Sequence, residues 1–162
     1  MHQHSDTLAR EIALKAQELR IENLKMVYRM QTGHLGGPFS AAEIVAALYF
    51  HQLRIDPDRP DWPDRDRFIL SKGHAAPILY AALAHRGFFP LEDLAKFNQP
   101  GSHFPEQPSP GGVPGVEAAT GSLGHGLSLG LGMALAARIL MSNLPGRRRH
   151  LHRAWAATQT TK

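Results

Sequence analysis

Cysteine is absent from the 162 residues, so neither a disulfide framework nor a thiolate metal site can be built. No stretch approaches the roughly 18 uninterrupted apolar residues that a membrane-spanning helix needs, and Met1 to Glu11 carries no apolar core behind a basic start. The expectation from these two absences is a cytoplasmic protein with no membrane partner. Acidic residues stop at Glu117, and no internal repeat is visible.

The net charge of +4 invites a nucleic-acid reading, but it is unevenly spread. Residues 1–140 carry 13 Lys/Arg against 14 Asp/Glu, or −1, whereas residues 141–162 carry five basic residues and no acid. The body is neutral and only the tail is basic, so nucleic acid is not expected as a partner. With 43% apolar and 20% charged residues, the chain has the composition of one ordinary globular domain.

Hydrophobic spacing organises the chain. From Asp6 to Met30, Leu8, Ile12, Ala13, Ala16, Leu19, Ile21, Leu24, Met26 and Val27 recur mostly at three- and four-residue steps, which predicts a long amphipathic helix. Gly33, Gly36, Gly37 and Pro38 then read as a loop. Ser40-Ala41-Ala42-Glu43 has the form of a capping box, with Ser40 as N-cap of a largely buried helix. Phe68-Ile69-Leu70 reads as a buried strand of about four residues. A helix is expected over Ala75 to His85 and a short one over Glu92 to Phe97. The Pro/Gly/Ser-rich stretch from Gln99 to Gly115 is long enough to suggest a functional loop. A last helix, from Leu127 to Leu140, is so rich in small residues that close packing against a neighbour is expected.

Three glycine-flanked histidines fall at the ends of these elements: His34, His74 and His125. Taken singly, each reads equally as a turn or structural histidine. His74 lies at the C-terminal end of the predicted strand, where open α/β sheets bind ligands. The glycine run Gly121 to Gly126 enters a helix N-terminus, which suits a phosphate held by main-chain groups or, alternatively, tight helix packing. A zinc site from His34, His74, His103 and His125 is disfavoured, since no pair shows the local spacing of a two-histidine helical turn. Together the loops predict one cleft.

Thr32-Gly33-His34-Leu35-Gly36-Gly37, Asp64-Arg65-Asp66-Arg67-Phe68-Ile69-Leu70-Ser71-Lys72-Gly73-His74 and Pro114-Gly115-Val116-Glu117-Ala118-Ala119-Thr120-Gly121-Ser122-Leu123-Gly124-His125-Gly126 resemble, in this order, the N-terminal segment of the transketolases. The Ser-Lys-Gly-His form favours transketolase proper or a separately encoded N-terminal subunit. The resemblance covers about residues 10–140. It implies an α/β fold with a partial doubly wound parallel sheet. It also implies thiamine diphosphate and Mg²⁺ as cofactors, sugar phosphates as substrates, and transfer of a two-carbon ketol unit. A transketolase C-terminal or pyrimidine-binding partner would close the site in a dimer.

By the same resemblance His74 would contact the diphosphate, and main-chain groups of Gly121, Ser122 and Leu123 would hold the cofactor. His34 would be the catalytic group, polarising the donor sugar or moving its proton, and would also bind substrate. Relatives carry a Gly-His-Pro-Glu segment whose histidine falls here on Gln107, leaving His103 as a substitute for sugar binding. His125 stands where many relatives have Gln. The family's Gly-Asp-Gly and later Asn, which bind Mg²⁺, have no counterpart, so no metal ligands are assigned.

Residues 1–140 are therefore expected to form part of the cofactor-binding domain, inactive by itself. The competing expectation is a catalytically silent chain that at most pairs with a transketolase subunit. Residues 141–162, with Arg147, Arg148, Arg149, His150 and His152 clustered, are expected to be a disordered basic tail or the product of a shifted reading frame. Read one base later, the codons from His150 onward permit an apolar, strand-like run.

Overall fold

In the computed structural model, residues 2–142 and 154–157 are described, with side chains described for 6–140. Among these described residues four α-helices and two strands succeed one another: α1 (His2–Met30), α2 (Gly36–Ala47), β1 (Arg67–Leu70), α3 (Ala76–His85), α4 (His125–Ser142) and β2 (Ala154–Ala157). Single turns of tighter or wider helix intervene at Leu48–Gln52, Gly73–Ala75 and Leu91–Lys96. Among the described residues no helix is long and apolar enough to cross a membrane.

The long helix α1 buries Ala16, Leu19, Asn23 and Met26, steps of three and four that form one stripe, against α2 and α3. Ile21 and Leu24, part of the predicted apolar set, lie about half exposed on the other side. Asn23 instead occupies the stripe, fully buried, with both amide atoms unpartnered among the described residues.

Gly33 lies in the loop as predicted, whereas Gly36, Gly37 and Pro38 are instead the first turn of α2, which starts at Gly36. Ser40 therefore lies inside the helix and is not its N-cap. Its hydroxyl donates to the Gly37 carbonyl 2.9 Å away and accepts from Lys72 Nζ at 3.0 Å, while Glu43 pairs outward with Arg20. Pro38, with no amide proton to satisfy, is tolerated in a first turn and moves the start upstream.

Strand β1 carries Phe68, Ile69 and Leu70 into the core, as the short apolar run predicts. It pairs in parallel with β2, Arg67 opposite Ala154 and Leu70 opposite Ala157. Thus β2 lies inside the 141–162 segment, for which local pattern predicts no element. Its Ala-Trp-Ala-Ala run is too short to show a period. The fold is α/β, with every residue of α3 from Ala76 to Ala84 buried and the helix packed on α1 and α2.

α4 packs on β1 and β2 with Gly126 and Gly130 buried and Leu129, Met133, Ala134 and Ala137 half-buried, whereas Leu127, Leu131, Leu135, Ile139 and Leu140 remain exposed. The expected close packing against a neighbour is made at Gly126, where a Cβ would stand 2.6 Å from the Ser71 Cβ. The loop after Leu94 is anchored by Phe97 and Phe104 in the core and by Tyr80, whose hydroxyl donates to the Pro105 carbonyl at 2.9 Å.

Candidate functional site

The site assembles where three chain turns meet beyond the end of β1. Helix α1 stops at Gln31, which has a positive φ of 54°. Gly33, at φ +114°, then turns the chain so that His34 stands just ahead of α2. From β1 the chain runs through Ser71 and Lys72 into the turn Gly73–Ala75, which carries His74. The rings of His34 and His74 meet edge to face, 5.1 Å between centroids.

The third turn is locked onto the second by glycine. A Cβ placed at Gly73 would stand 2.4 Å from the Thr120 carbonyl oxygen and 2.7 Å from the Gly121 nitrogen, so only a hydrogen fits there. Ser71 completes the lock, its hydroxyl accepting the Gly126 amide at 3.1 Å. The first turn of α4 is thereby held over the strand end. Among the described residues no hydrogen bond engages the amides of Gly121, Ser122 and Leu123, so they are available at the positive end of an 18-residue helix.

Two residues of the long loop complete the cluster. Glu106 Oε1 lies 3.5 Å from His34 Nδ1, and Gln107 Nε2 lies 3.3 Å from His74 Nε2. Gln107 also packs flat against Gly121, where a Cβ would overlap its side-chain oxygen. Behind the cluster, Lys72 is buried and donates to the Gly37 carbonyl at 2.6 Å and to Ser40, tying the strand end to the start of α2. Burial holds its ammonium below the usual lysine range. Thr120 is buried with its hydroxyl unpartnered among the described residues.

The structure thus brings together His34, His74 and Gly121, with Ser122 and Leu123 exposed at the rim. His103 takes no part in the described contacts of this cluster; it is exposed and lies against Gly112. His125 heads α4, also exposed. Among the described residues no three His, Asp or Glu groups converge as a metal site would require. Glu106 and Gln107 are absent from the predicted site residues. The signal for Gln107 is its place under the relatives' histidine, whereas Glu106 has none.

A second charged constellation gives the motifs a structural role. Arg65 Nε and Nη2 donate to the two Glu117 oxygens at 3.1 and 3.0 Å, and Arg67 Nη1 donates at 2.8 Å. Asp66, fully buried, accepts from the Arg54 amide at 3.0 Å. These bonds brace the segment leading to Thr120 against β1.

Comparison with known proteins gives a consistent picture. Residues 12–152 match the family described as transketolase, thiamine diphosphate binding domain. A 6-deoxy-6-sulfo-D-fructose transketolase subunit of Clostridium sp. (strain MSTE9) is 46% identical over 131 residues, 81% of this chain and 47% of that protein. An apulose-4-phosphate transketolase subunit of Phocaeicola vulgatus is 41% identical over 79% of this chain and 45% of its own length. Among solved structures, transketolase of Campylobacter jejuni superposes with a TM-score of 0.78 at 37% identity, covering 85% of this chain and 22% of that one. Transketolase of Pichia stipitis in complex with sedoheptulose 7-phosphate gives 0.79 at 34%, over 91% and 21%. The chain spans about half the length of the subunit-type relatives.

Proposed function

This chain belongs to the transketolase family, in its thiamine diphosphate binding domain, and from that premise we propose that it supplies the diphosphate-facing side of a ketol-transferring site completed by a partner. The observation that carries this reading is the juxtaposition of His74, Gln107 and the unengaged Gly121–Leu123 amides at the head of α4. Open main-chain amides in the turn just ahead of a helix N-terminus suit a phosphate, and an imidazole N–H adds a directed donor. Gly73 lets the two turns close to a distance at which both reach one anion.

The residues present fit the diphosphate. They do not fit Mg²⁺, whose oxygen ligands are not gathered among the described residues. When bound, thiamine diphosphate supplies the carbon nucleophile that accepts the two-carbon unit. His34, half exposed beside the cluster, holds or moves the proton of the donor sugar's hydroxyl. Glu106 at the same mouth suits hydroxyls and repels anions, so the phosphate end of a sugar phosphate would point away from it. Of the relatives, one is named for a sulfonated deoxyfructose and one for a ketose 4-phosphate, both anionic sugars. A pyrimidine-binding domain from a partner chain, in a dimer, would enclose the other end of the cofactor.

A diphosphate–dication pair held only by imidazole and amides lacks carboxylate ligation of the metal. The 162-residue polypeptide by itself is therefore expected to show no Mg²⁺-dependent thiamine diphosphate binding in a calorimetric titration. Micromolar affinity in that titration would overturn the need for a partner.

A further inference from the structure

The geometry points to Glu106 and Gln107 as positioning residues that set His34 and His74 in matched tautomers, both protonated on Nδ1. Glu106 and Gln107 are consecutive, and each addresses one of the two rings: the carboxylate faces His34 Nδ1 at 3.5 Å and the amide nitrogen faces His74 Nε2 at 3.3 Å. A carboxylate only accepts, so at this ion-pair distance it favours the proton on the nitrogen it faces. An amide NH₂ only donates, so the nitrogen it faces carries the lone pair. The result is a division of labour between two rings in contact. His34 presents a bare Nε2, an acceptor for a hydroxyl proton, and His74 presents an Nδ1–H, a donor for an anion.

The pair is built to hold this arrangement. Gln107 is fixed against Gly121, Thr120 donates its amide to the Pro108 carbonyl at 3.3 Å, and Tyr80 holds the Pro105 carbonyl at 2.9 Å. Among the described contacts the charged group facing the rings is Glu106, and the nearest cation along the chain is Lys72, two residues before His74. The Lys72 ammonium is directed at the α2 turn, where it meets the Gly37 carbonyl and the Ser40 hydroxyl. The inference rests on the proposed function only for what the tautomers serve, since the tautomers themselves belong to the cofactor-free chain.

The test is two-dimensional ¹⁵N–¹H NMR of the imidazole side chains in the full 162-residue chain at about pH 8.5, where free imidazole is neutral. The wild type is expected to show Nδ1–H for both histidines. Gln107→Glu replaces a donor by an acceptor at nearly the same volume, and is expected to invert His74 to Nε2–H while leaving His34 unchanged. Glu106→Ala is expected to release His34 toward the mixture of an unconstrained histidine, with His74 unchanged. Neither side chain is part of the buried core, and unchanged backbone spectra verify that each variant folds. Wild-type Nε2–H at either ring, or a Gln107→Glu variant with His74 unaltered, would overturn the inference. The proposed function would survive that result, because cofactor binding is read separately, from backbone amide shifts in a titration with thiamine diphosphate.

Discussion

Replacing Glu117 with alanine is expected to destabilise the chain by about 3–5 kcal/mol, the range for removing one partner of a buried ion pair. Glu117 accepts from both Arg65 and Arg67, and the side chains of Arg65 and Glu117 are only 11% and 8% exposed. Without the carboxylate, the Arg65 guanidinium keeps its bond to the Trp62 carbonyl but is left buried with no counter-charge among these contacts. For a domain of this size that loss lowers the melting temperature by about 10 °C, readable in a thermal scan. Breaking the Arg20–Glu43 pair, whose carboxylate is 57% exposed, is expected to change stability by at most about 1 kcal/mol. A Glu117→Ala variant that melts with the Glu43→Ala variant would show that the buried brace contributes nothing.

Gly73→Ala is expected to be the most damaging single methyl at the site. The added carbon would lie 2.4 Å from the Thr120 carbonyl oxygen and 2.5 Å from its carbon, both backbone atoms. A rotamer change cannot relieve that overlap, so the Thr120–Gly121 turn must move away from β1. Overpacking of this kind costs about 1–3 kcal/mol, and displacement of Gly121 also takes Gln107 off His74. Gly36→Ala is the matched control: it adds the same methyl where nothing lies within 4 Å. Placed inside α2, it is expected to be neutral or stabilising by about 0.5–1 kcal/mol. Chemical denaturation of the two variants decides the matter, and equal stability would mean the turns are not locked through Gly73.

Much of this fold is readable in local pattern. β1 is legible because a three-residue apolar run bounded by polar residues has few other uses in a compact domain. α3 is legible because its ten residues are apolar almost throughout and directly follow the strand end. His34 and His74 are legible by their glycine flanks, and through the resemblance rather than through periodicity. What local pattern does not reach are relations across long separations. The start of α2 is misplaced by it because Gly36, Gly37 and Pro38 join the helix, leaving the Ser40 hydroxyl to bond Gly37 and Lys72, the latter 32 residues on. Glu117 reads as one more family residue until it is seen across 52 residues from Arg65. Asn23 sits in a stripe that apolar spacing alone assigns to hydrophobic side chains. Glu106 and Gln107 belong to a loop with no period, and only the closed arrangement puts them on the two histidines.

The proposed function depends on an anion-binding cradle where the Gly73–Ala75 and Thr120–Leu123 turns meet. Backbone amide NMR of the full chain titrated with thiamine diphosphate at millimolar concentration tests for it most directly, since weak binding invisible to calorimetry still shifts the contacted amides. The expected shifts centre on Gly73, His74, Gln107 and Gly121 to Leu123, and are lost in His74→Ala. Shifts clustered instead in the groove between α1 and the Leu91–Lys96 turn, lined by Glu22, Lys25, Arg29 and Leu91, would contradict the cradle, as would their complete absence.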